Sequence, residues 1–177
     1  MAFSVGISKR EIQKRLGEVV ETVLGRKSET TVGESDEIVL YPKSTTILLT
    51  MQILNTTPYN LDYFFYVNND YSNSNYHYSY FAATVDGYGH GGGNYPCLVS
   101  CFANEHAIWH VTIGVANGYF EGVAVGELKY SNTTYLCIQA MRYKQQISNL
   151  DKITIRAIEG GSTQRKITNA TLKILEL

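Results

Sequence analysis

The segment CLVSCFANEHAIWH, residues 97–110, contains two cysteines and two histidines that could bind a zinc ion. They are Cys97, Cys101, His106 and His110, and thiolate and imidazole groups are common zinc ligands. The same segment also has the pattern of a β-hairpin that turns at residues 103–105. In an extended strand Cys97 and Cys101 would lie roughly 13 Å apart. All four side chains could then not surround one metal, although two neighbouring pairs could meet, and we expect no metal site.

The same separation argues against a disulfide between Cys97 and Cys101, because bridged Cα atoms lie within about 7 Å of each other. The chain has three cysteines, and an odd number does not suit a fully paired disulfide framework. Buried free thiols are therefore expected.

Motifs for nucleophilic or acid–base catalysis do not occur in the chain. It contains neither GxSxG nor HExxH, and the order EHAIWH places Glu105 before both histidines. Acidic residues are sparse after residue 37. Two of them could meet in space as in a glycoside hydrolase, but their spacing does not indicate such a pair. We expect a protein that is not an enzyme and has no cofactor.

Tyrosine is concentrated in the stretch YVNNDYSNSNYHYSY, residues 66–80, among Asn and Ser. Tyr76, Tyr78 and Tyr80 alternate, which places them on one face of a strand. Tyr with Ser, Asn and Gly is typical of adaptable binding loops, and aromatic rings also stack on sugars. The stretch is either a contact surface for a glycan or protein, or a polar outer face of a sheet that favours tyrosine.

A second unusual segment is DGYGHGGGNYP, residues 86–96, which lacks the GK[ST] ending of a phosphate loop. It predicts a long mobile surface loop between strands. That loop is either a plain connection or a loop whose glycines allow a partner to approach closely. The predicted contact residues of both segments are Tyr71, Tyr76, Tyr78, Tyr80, Tyr88 and Tyr95.

The N-terminal residues 8–25 have the pattern of an amphipathic helix. Ser8 and Glu11 match a capping box, and Gly25 suits a helix end. The apolar residues recur at helical spacing: Ile12, Leu16, Val19, Val20 and Val23. The stripe either packs on the body of the protein or makes the helix an oligomerisation or anchoring element. We assign residues 1–27 to this helix and the polar residues 28–37, within RKSETTVGESDE (26–37), to a linker.

From residue 38 onward, β-branched and aromatic runs alternate with clusters of Gly, Asn, Asp, Ser and Pro. The predicted strands are 38–41, 45–55, 61–67, 78–85, 97–102, 107–116, 119–125, 133–143, 152–159 and 170–177. Many short strands without intervening helices predict a mainly β protein. The expected fold is an antiparallel, jelly-roll-like β-sandwich over residues 38–177, preceded by the one N-terminal α-helix.

Composition limits the function classes. The 177 residues carry 15 Lys plus Arg and 16 Asp plus Glu, a net charge of −1, which does not suit binding to nucleic acid. No signal peptide or run of 18 apolar residues is present, so we expect synthesis in a host cytoplasm and no membrane insertion. Three Asn-x-Ser/Thr sequons occur, at Asn55, Asn132 and Asn169.

The C-terminal segment ISNLDKITIRAIEGGSTQRKITNATLKILEL, residues 147–177, resembles the closing strands of β-sandwich modules from phage tail fibres and other virion surface proteins. Those modules tend to end in the pattern I..I.I.. SGN..SG...LYG. The residues that match its skeleton are Ile153, Ile155, Gly160, Gly161, Leu172 and Ile174. The final LYG is replaced by LEL, and IVLYPKSTTILLTMQILNTT is similar to the opening strands of such modules.

This resemblance implies a virion structural protein: a spike, a fibre head or a capsid-decorating subunit. It would form a homo-oligomer, with a trimer expected, contact other virion proteins, and present its Tyr/Asn/Gly loops to a host surface that could carry glycans. The alternative is a non-catalytic carbohydrate-binding module, with a sugar site near Tyr76, Tyr78, Tyr80 and Trp109. Trp109 is expected in the core because of its position in a strand.

Overall fold

A computed structural model of the protein describes residues 26–84 and 87–177, and in these ranges the chain is almost entirely β-structure. The strands are β1 (Arg26–Ser35), β2 (Ile38–Leu40), β3 (Thr46–Leu54), β4 (Leu61–Val67), β5 (Tyr76–Thr84), β6 (Gly87–Gly93), β7 (Cys97–Cys101), β8 (His106–Ala116), β9 (Tyr119–Tyr130), β10 (Thr133–Tyr143), β11 (Ile153–Glu159), β12 (Thr163–Arg165) and β13 (Ile167–Glu176). A 3₁₀ turn, Asn73–Asn75, precedes β5.

No α-helix lies within the described ranges. The predicted N-terminal helix falls outside them, and so does its apolar stripe. The proposed oligomerisation residues, Ile12, Leu16, Val19, Val20 and Val23, therefore stay a prediction.

The strands form two antiparallel sheets. The larger sheet has the order β1-β13-β3-β8-β9-β10-β5-β6, and the smaller has the order β12-β11-β4-β7, with β2 paired to β11 as well. Four strands of the larger sheet alternate along the chain with four of the smaller, while the hairpins β5–β6 and β9–β10 extend only the larger sheet. The predicted mainly β, antiparallel class is confirmed.

The sheets pack face to face around one hydrophobic core that includes Tyr63, Phe65, Trp109 and Phe120, all fully buried. The edge strand β7 packs on β8, β9 and β10. The larger sheet continues past β7 through β5 and β6. Part of its inner face therefore extends beyond the edge of the smaller sheet.

Residues 28–35 of the predicted linker, together with Arg26 and Lys27 from the end of the segment assigned to the helix, form the edge strand β1. It pairs with β13 from Arg26↔Glu176 to Ser35↔Ile167. Residues 28–31 are exposed, so backbone hydrogen bonds to one neighbour stabilise the strand in place of apolar burial. A strand of this kind lacks the apolar alternation on which strand prediction depends.

The glycine-rich segment predicted as a mobile loop is also corrected, because most of it is β6. This strand pairs with β5 from Tyr78↔Gly93 to Thr84↔Gly87. A Cβ atom at Gly91 would lie 2.6 Å from Cε1 of Tyr80, and one at Gly93 would lie 2.6 Å from Cε1 of Tyr95. Tyrosine rings thus cover two glycines of an edge strand, an arrangement that offsets the poor strand propensity of glycine.

Two glycines of β9 allow large side chains to approach its inner face. A Cβ atom at Gly126 would lie 2.4 Å from Cδ2 of Trp109, and one at Gly122 would lie 2.6 Å from Cδ1 of Leu98. Trp109 is in the neighbouring strand β8 and Leu98 is in the opposite sheet. No other residue type could keep both contacts without a shift of the backbone or of the buried side chain.

We predict that Gly126→Ala lowers the free energy of unfolding by about 1–3 kcal/mol, the usual cost of overpacking a core. Urea unfolding followed by circular dichroism would measure the change. Gly89→Ala is the matched control, because nothing lies within 4 Å of a Cβ atom there. A Gly126→Ala variant with the wild-type midpoint would contradict the close packing of Trp109 on β9.

Candidate functional site

The three alternating tyrosines of β5 share one face, as predicted, but it is the inner face of the larger sheet. Tyr76 is 0% exposed and Tyr78 is 9% exposed, while Tyr80 is partly buried. The expectation that Tyr76 contacts a ligand or partner is corrected, since the folded protein encloses its ring. Tyr78 is largely buried but lines a cleft between the sheets. The burial of these tyrosines follows from the larger sheet, whose inner face at β5 has to be covered by large side chains.

Hydrogen bonds around Tyr76 explain the polar residues of the Tyr-rich stretch. The Tyr76 hydroxyl donates to the carbonyl oxygen of Asp70 at 2.7 Å and accepts from the Val67 amide at 2.9 Å. Tyr143 Oη donates to Oδ2 of Asp70 at 2.7 Å. Burial acts to raise the pKa of Asp70, but hydrogen bonds from Tyr143, Ser72 and Asn75 outweigh it and hold that pKa below its usual value. The stretch is therefore an ordered loop tied to the core.

The other predicted tyrosines are distributed over three places. Tyr95 stacks on Phe64 at 5.5 Å between ring centroids and contacts Tyr78 at 4.7 Å. Tyr71 lies under the Arg156 guanidinium, 4.1 Å from Cζ to the ring centroid. Tyr88 is 75% exposed on the outer face of the larger sheet. The six residues do not form a single surface.

A cleft opens where the inner face of β5 and β10 extends past the edge strand β7. Its volume is about 310 Å³. The larger sheet supplies its floor and the smaller sheet supplies its polar side. The residues that line it are Asn60, Leu61, Asp62, Tyr78, Tyr80, Ala82, Ser100, Cys101, Phe102, Leu128, Cys137 and Gln139.

A chain of hydrogen bonds crosses this cleft from one sheet to the other. Ser100 Oγ donates to Oδ1 of Asp62 at 2.7 Å, and Gln139 Nε2 donates to Ser100 Oγ at 3.0 Å. The thiol of Cys97 donates to Oε1 of Gln139 at 3.5 Å. The backbone of Ser100 is also bound, because Trp109 Nε1 donates to the Ser100 carbonyl oxygen at 2.9 Å. Ser100 is thus held on both its side chain and its carbonyl group.

Asp62 is the carboxylate of this cleft. Burial raises its pKa above the usual value of 3.8, and the hydrogen bond from Ser100 opposes that rise only in part. The ion pairs found in the described part of the chain join other residues and leave Asp62 without a Lys or Arg partner. The cleft therefore contains a desolvated acceptor whose charge no Lys or Arg of the described ranges neutralises.

The four candidate zinc ligands are not brought together. Cys97 and Cys101 are buried in β7, whereas His106 and His110 are exposed on the outer face of β8. Within residues 26–84 and 87–177 no group of three or more His, Cys, Asp or Glu side chains could hold a metal ion. The cysteines are free and buried, and burial raises the pKa of Cys101 to about 12 and that of Cys137 to about 11.

The sequons differ in accessibility. Asn55 is fully buried, and its amide donates to the carbonyl oxygens of Tyr59 and Phe102. Asn132 and Asn169 are exposed. In the folded protein only these two could accept a glycan. The described residues form no helix that could span a membrane.

The sequence interpretation missed the cleft residues Asp62, Ser100 and Gln139, and it also missed an apolar outer face on β9 and β10. For the outer face a signal exists, because Val123, Ala124 and Val125 are consecutive apolar residues. A strand with one solvated face would alternate with polar residues there. For the cleft no local pattern exists.

No protein-family model matches this chain, and no curated protein matches it at a significant level. The resemblance to tail-fibre and virion surface modules therefore stays a prediction.

We predict that Tyr76→Phe lowers the free energy of unfolding by about 1–3 kcal/mol, because the buried amide of Val67 loses its acceptor. Chemical denaturation would measure the loss. Tyr88→Phe removes the same atom from an exposed ring and is expected to leave stability unchanged. Equal stability of the two variants would show that the Tyr76 network is not structural.

We also predict that Asp62→Asn melts at a higher temperature than the wild type at pH 7. Because the folded-state pKa of Asp62 is raised, the folded protein binds more protons than the unfolded chain between the two pKa values. The stability of the wild type then falls as pH rises through that window. The side-chain amide of the Asp62→Asn variant would not titrate, so the advantage of the variant should shrink as pH falls towards 3.8.

Thermal unfolding of both proteins from acid to neutral pH would test this expectation. Asp151→Asn, at an exposed carboxylate, is the control and should show no such pH-dependent gain. An Asp62→Asn variant that is less stable than the wild type at pH 7 would mean that the carboxylate is stabilised by partners other than those seen.

Proposed function

We propose that this protein is a non-enzymatic structural subunit that assembles with copies of itself through the outer face of its larger sheet. The observation that carries the proposal is a patch of exposed apolar side chains on β5, β6, β8, β9 and β10. Their exposed fractions range from 39% to 75%. The residues of this outer patch are Phe81, Tyr88, Ile108, Val123, Val125, Leu136 and Ile138.

The outer patch is continuous. Val125, Ile138 and Phe81 are successive cross-strand partners on β9, β10 and β5. The ring of Tyr88 stacks on that of Phe81 with centroids 5.9 Å apart. Monomeric proteins rarely expose contiguous apolar surface of this kind, and where it occurs it commonly marks an interaction site.

Polar residues border the patch, as they border the apolar centre of protein interfaces. Glu121 and Arg142 form an exposed ion pair at 3.4 Å on one side, and Lys129 is exposed on the other. On β8 the patch adjoins a groove of about 740 Å³ whose lining includes Leu48, His110 and Leu175. His110 is the cross-strand partner of Val125, so patch and groove form one surface.

A second copy of this chain is the partner that suits the charge balance. The net charge is −1, so repulsion between copies is weak. Exposed Glu127 lies within the outer patch between its cross-strand partners Ile108 and Leu136, and the border of the patch has both signs. Neither feature selects a strongly acidic or basic partner.

The strand order supports a finer description of the fold as a jelly roll. Without the two added hairpins and the short strand β12, the sheets have the orders β1-β13-β3-β8 and β2-β11-β4-β7. Viral capsid proteins and lectins both use jelly rolls. Together with the resemblance of residues 147–177, this supports a virion location, as a spike, fibre head or capsid-decorating subunit that contacts other virion proteins or a host surface. Fold alone does not specify function, so the proposal depends on the outer patch.

We predict that the double variant Phe81→Arg/Ile138→Arg is a folded monomer, whereas the wild type is a discrete oligomer. Burying two charges at the centre of the interface should raise the dissociation constant by at least about thirtyfold. Light scattering after size exclusion, with thermal unfolding as the check on folding, would measure both. Thr163→Arg, at an exposed site of the smaller sheet, should leave the oligomer intact.

A wild type that is monomeric at about 100 μM, far above a micromolar dissociation constant, would refute self-assembly. An oligomer that survives the double substitution would place the interface elsewhere.

A further inference from the structure

We propose that the cleft beside β7 binds a single uncharged, hydroxyl-rich ring, the chemistry of one monosaccharide unit. This site is independent of the proposed assembly surface. The cleft is lined by inner-face residues of β5 and β10, such as Tyr80 and Gln139, whereas the outer patch is formed by the alternating residues Phe81 and Ile138 of the same strands.

The polar side of the cleft offers an acceptor. A carboxylate has about four lone-pair sites, and Asp62 uses one for the Ser100 hydroxyl. No protein cation pairs with Asp62 among the described residues. Hydroxyl groups of a ligand would supply donors to this desolvated carboxylate.

Next to the acceptor the cleft offers a donor. Gln139 is 6% exposed, and its orientation is fixed because Nε2 donates to Ser100 while Oε1 accepts from Cys97. One of the two N–H bonds of Nε2 therefore serves Ser100, and the other is available to a ligand. Hydroxyl groups donate and accept at once, so neighbouring hydroxyls would satisfy Asp62 and Gln139 together. An organic ammonium group would satisfy only Asp62.

The remaining walls suit the apolar face of a sugar ring. Tyr80 and Phe102 both line the cleft. The Tyr80 ring is positioned over Gly91, and the Phe102 ring packs against Tyr130 at 4.9 Å and Tyr135 at 5.7 Å between centroids. Ligand sites typically combine such fixed apolar walls with a few convergent polar groups. The volume of about 310 Å³ limits the occupant to one ring.

Trp109 provides the measurement, because it is the only tryptophan of the chain and its Nε1 donates to the Ser100 carbonyl oxygen. The full-length protein would be titrated with the methyl glycosides of glucose, galactose, mannose, fucose and N-acetylglucosamine. The indole N–H signal of Trp109 would be followed by NMR. Titration to about 50 mM would reveal dissociation constants in the millimolar range. We expect a saturable shift with at least one glycoside.

Two variants test the assigned groups. Asp62→Asn removes the charged acceptor and should weaken binding about tenfold to a hundredfold, while Asp151→Asn should bind as the wild type does. Ala82→Leu narrows the cleft from the opposite wall without touching the polar groups and should abolish binding. Dispersed NMR spectra would confirm that each variant is folded.

Each contrary result overturns the inference. If none of the glycosides moves the Trp109 signal, the cleft is not a sugar site. If tetramethylammonium shifts it and the glycosides do not, the ligand is a cation. If Ala82→Leu and Asp62→Asn both bind as tightly as the wild type, the sugar binds elsewhere. A failure of self-assembly would leave these results unaffected, because the outer patch lies on the other face of the sheet.

Discussion

Gly122 and Gly126 determine how closely side chains of the smaller sheet and of the neighbouring strand β8 pack against β9. Their missing side chains leave room for Leu98 of β7 and for Trp109 of β8. The Trp109 indole then donates to the Ser100 carbonyl oxygen and so holds β7 over β9 and β10. Because β7 is the edge strand of the smaller sheet, its position determines how much of the inner face of the larger sheet is covered. The cleft, and the orientation of Ser100 towards Asp62, both depend on this packing.

The predictable part of the fold is the part with local apolar patterning. The segments LDYFFYV and TTYLCIQAMRY coincide with β4 and β10, because β-branched and aromatic residues suit a pleated surface buried on at least one face. The sequence interpretation missed β1, β6 and β12, all at sheet edges or exposed. The polar strands β1 and β12 are stabilised by hydrogen bonds to their neighbours β13 and β11. The glycines of β6 are covered by the rings of Tyr80 and Tyr95. None of these causes is local in sequence.

The site was less predictable than the fold for the same reason. The hydrogen bonds from Ser100 to Asp62 and from Gln139 to Ser100 span 38 and 39 residues. Nothing near any of the three indicates that they meet. Tyrosine alternation correctly placed Tyr76, Tyr78 and Tyr80 on one face, but a face can be turned inward or outward. The two hairpins added to one edge of the larger sheet make it wider than the smaller sheet. This arrangement places the tyrosine face of β5 on the inside of the fold.

The position of β13 between β1 and β3 has a consequence for how the protein is made. Residues 167–176 fill the gap between the first and the third strand of the larger sheet. Until these residues have left the ribosome, β1 lacks its only hydrogen-bonding neighbour among the described strands, and the edge of β3 that pairs with β13 stays open. The larger sheet therefore closes only after synthesis of the last strand. Such long-range pairing folds slowly. Until β13 pairs with them, the exposed edges of β1 and β3 are the surfaces that a chaperone would have to shield from aggregation.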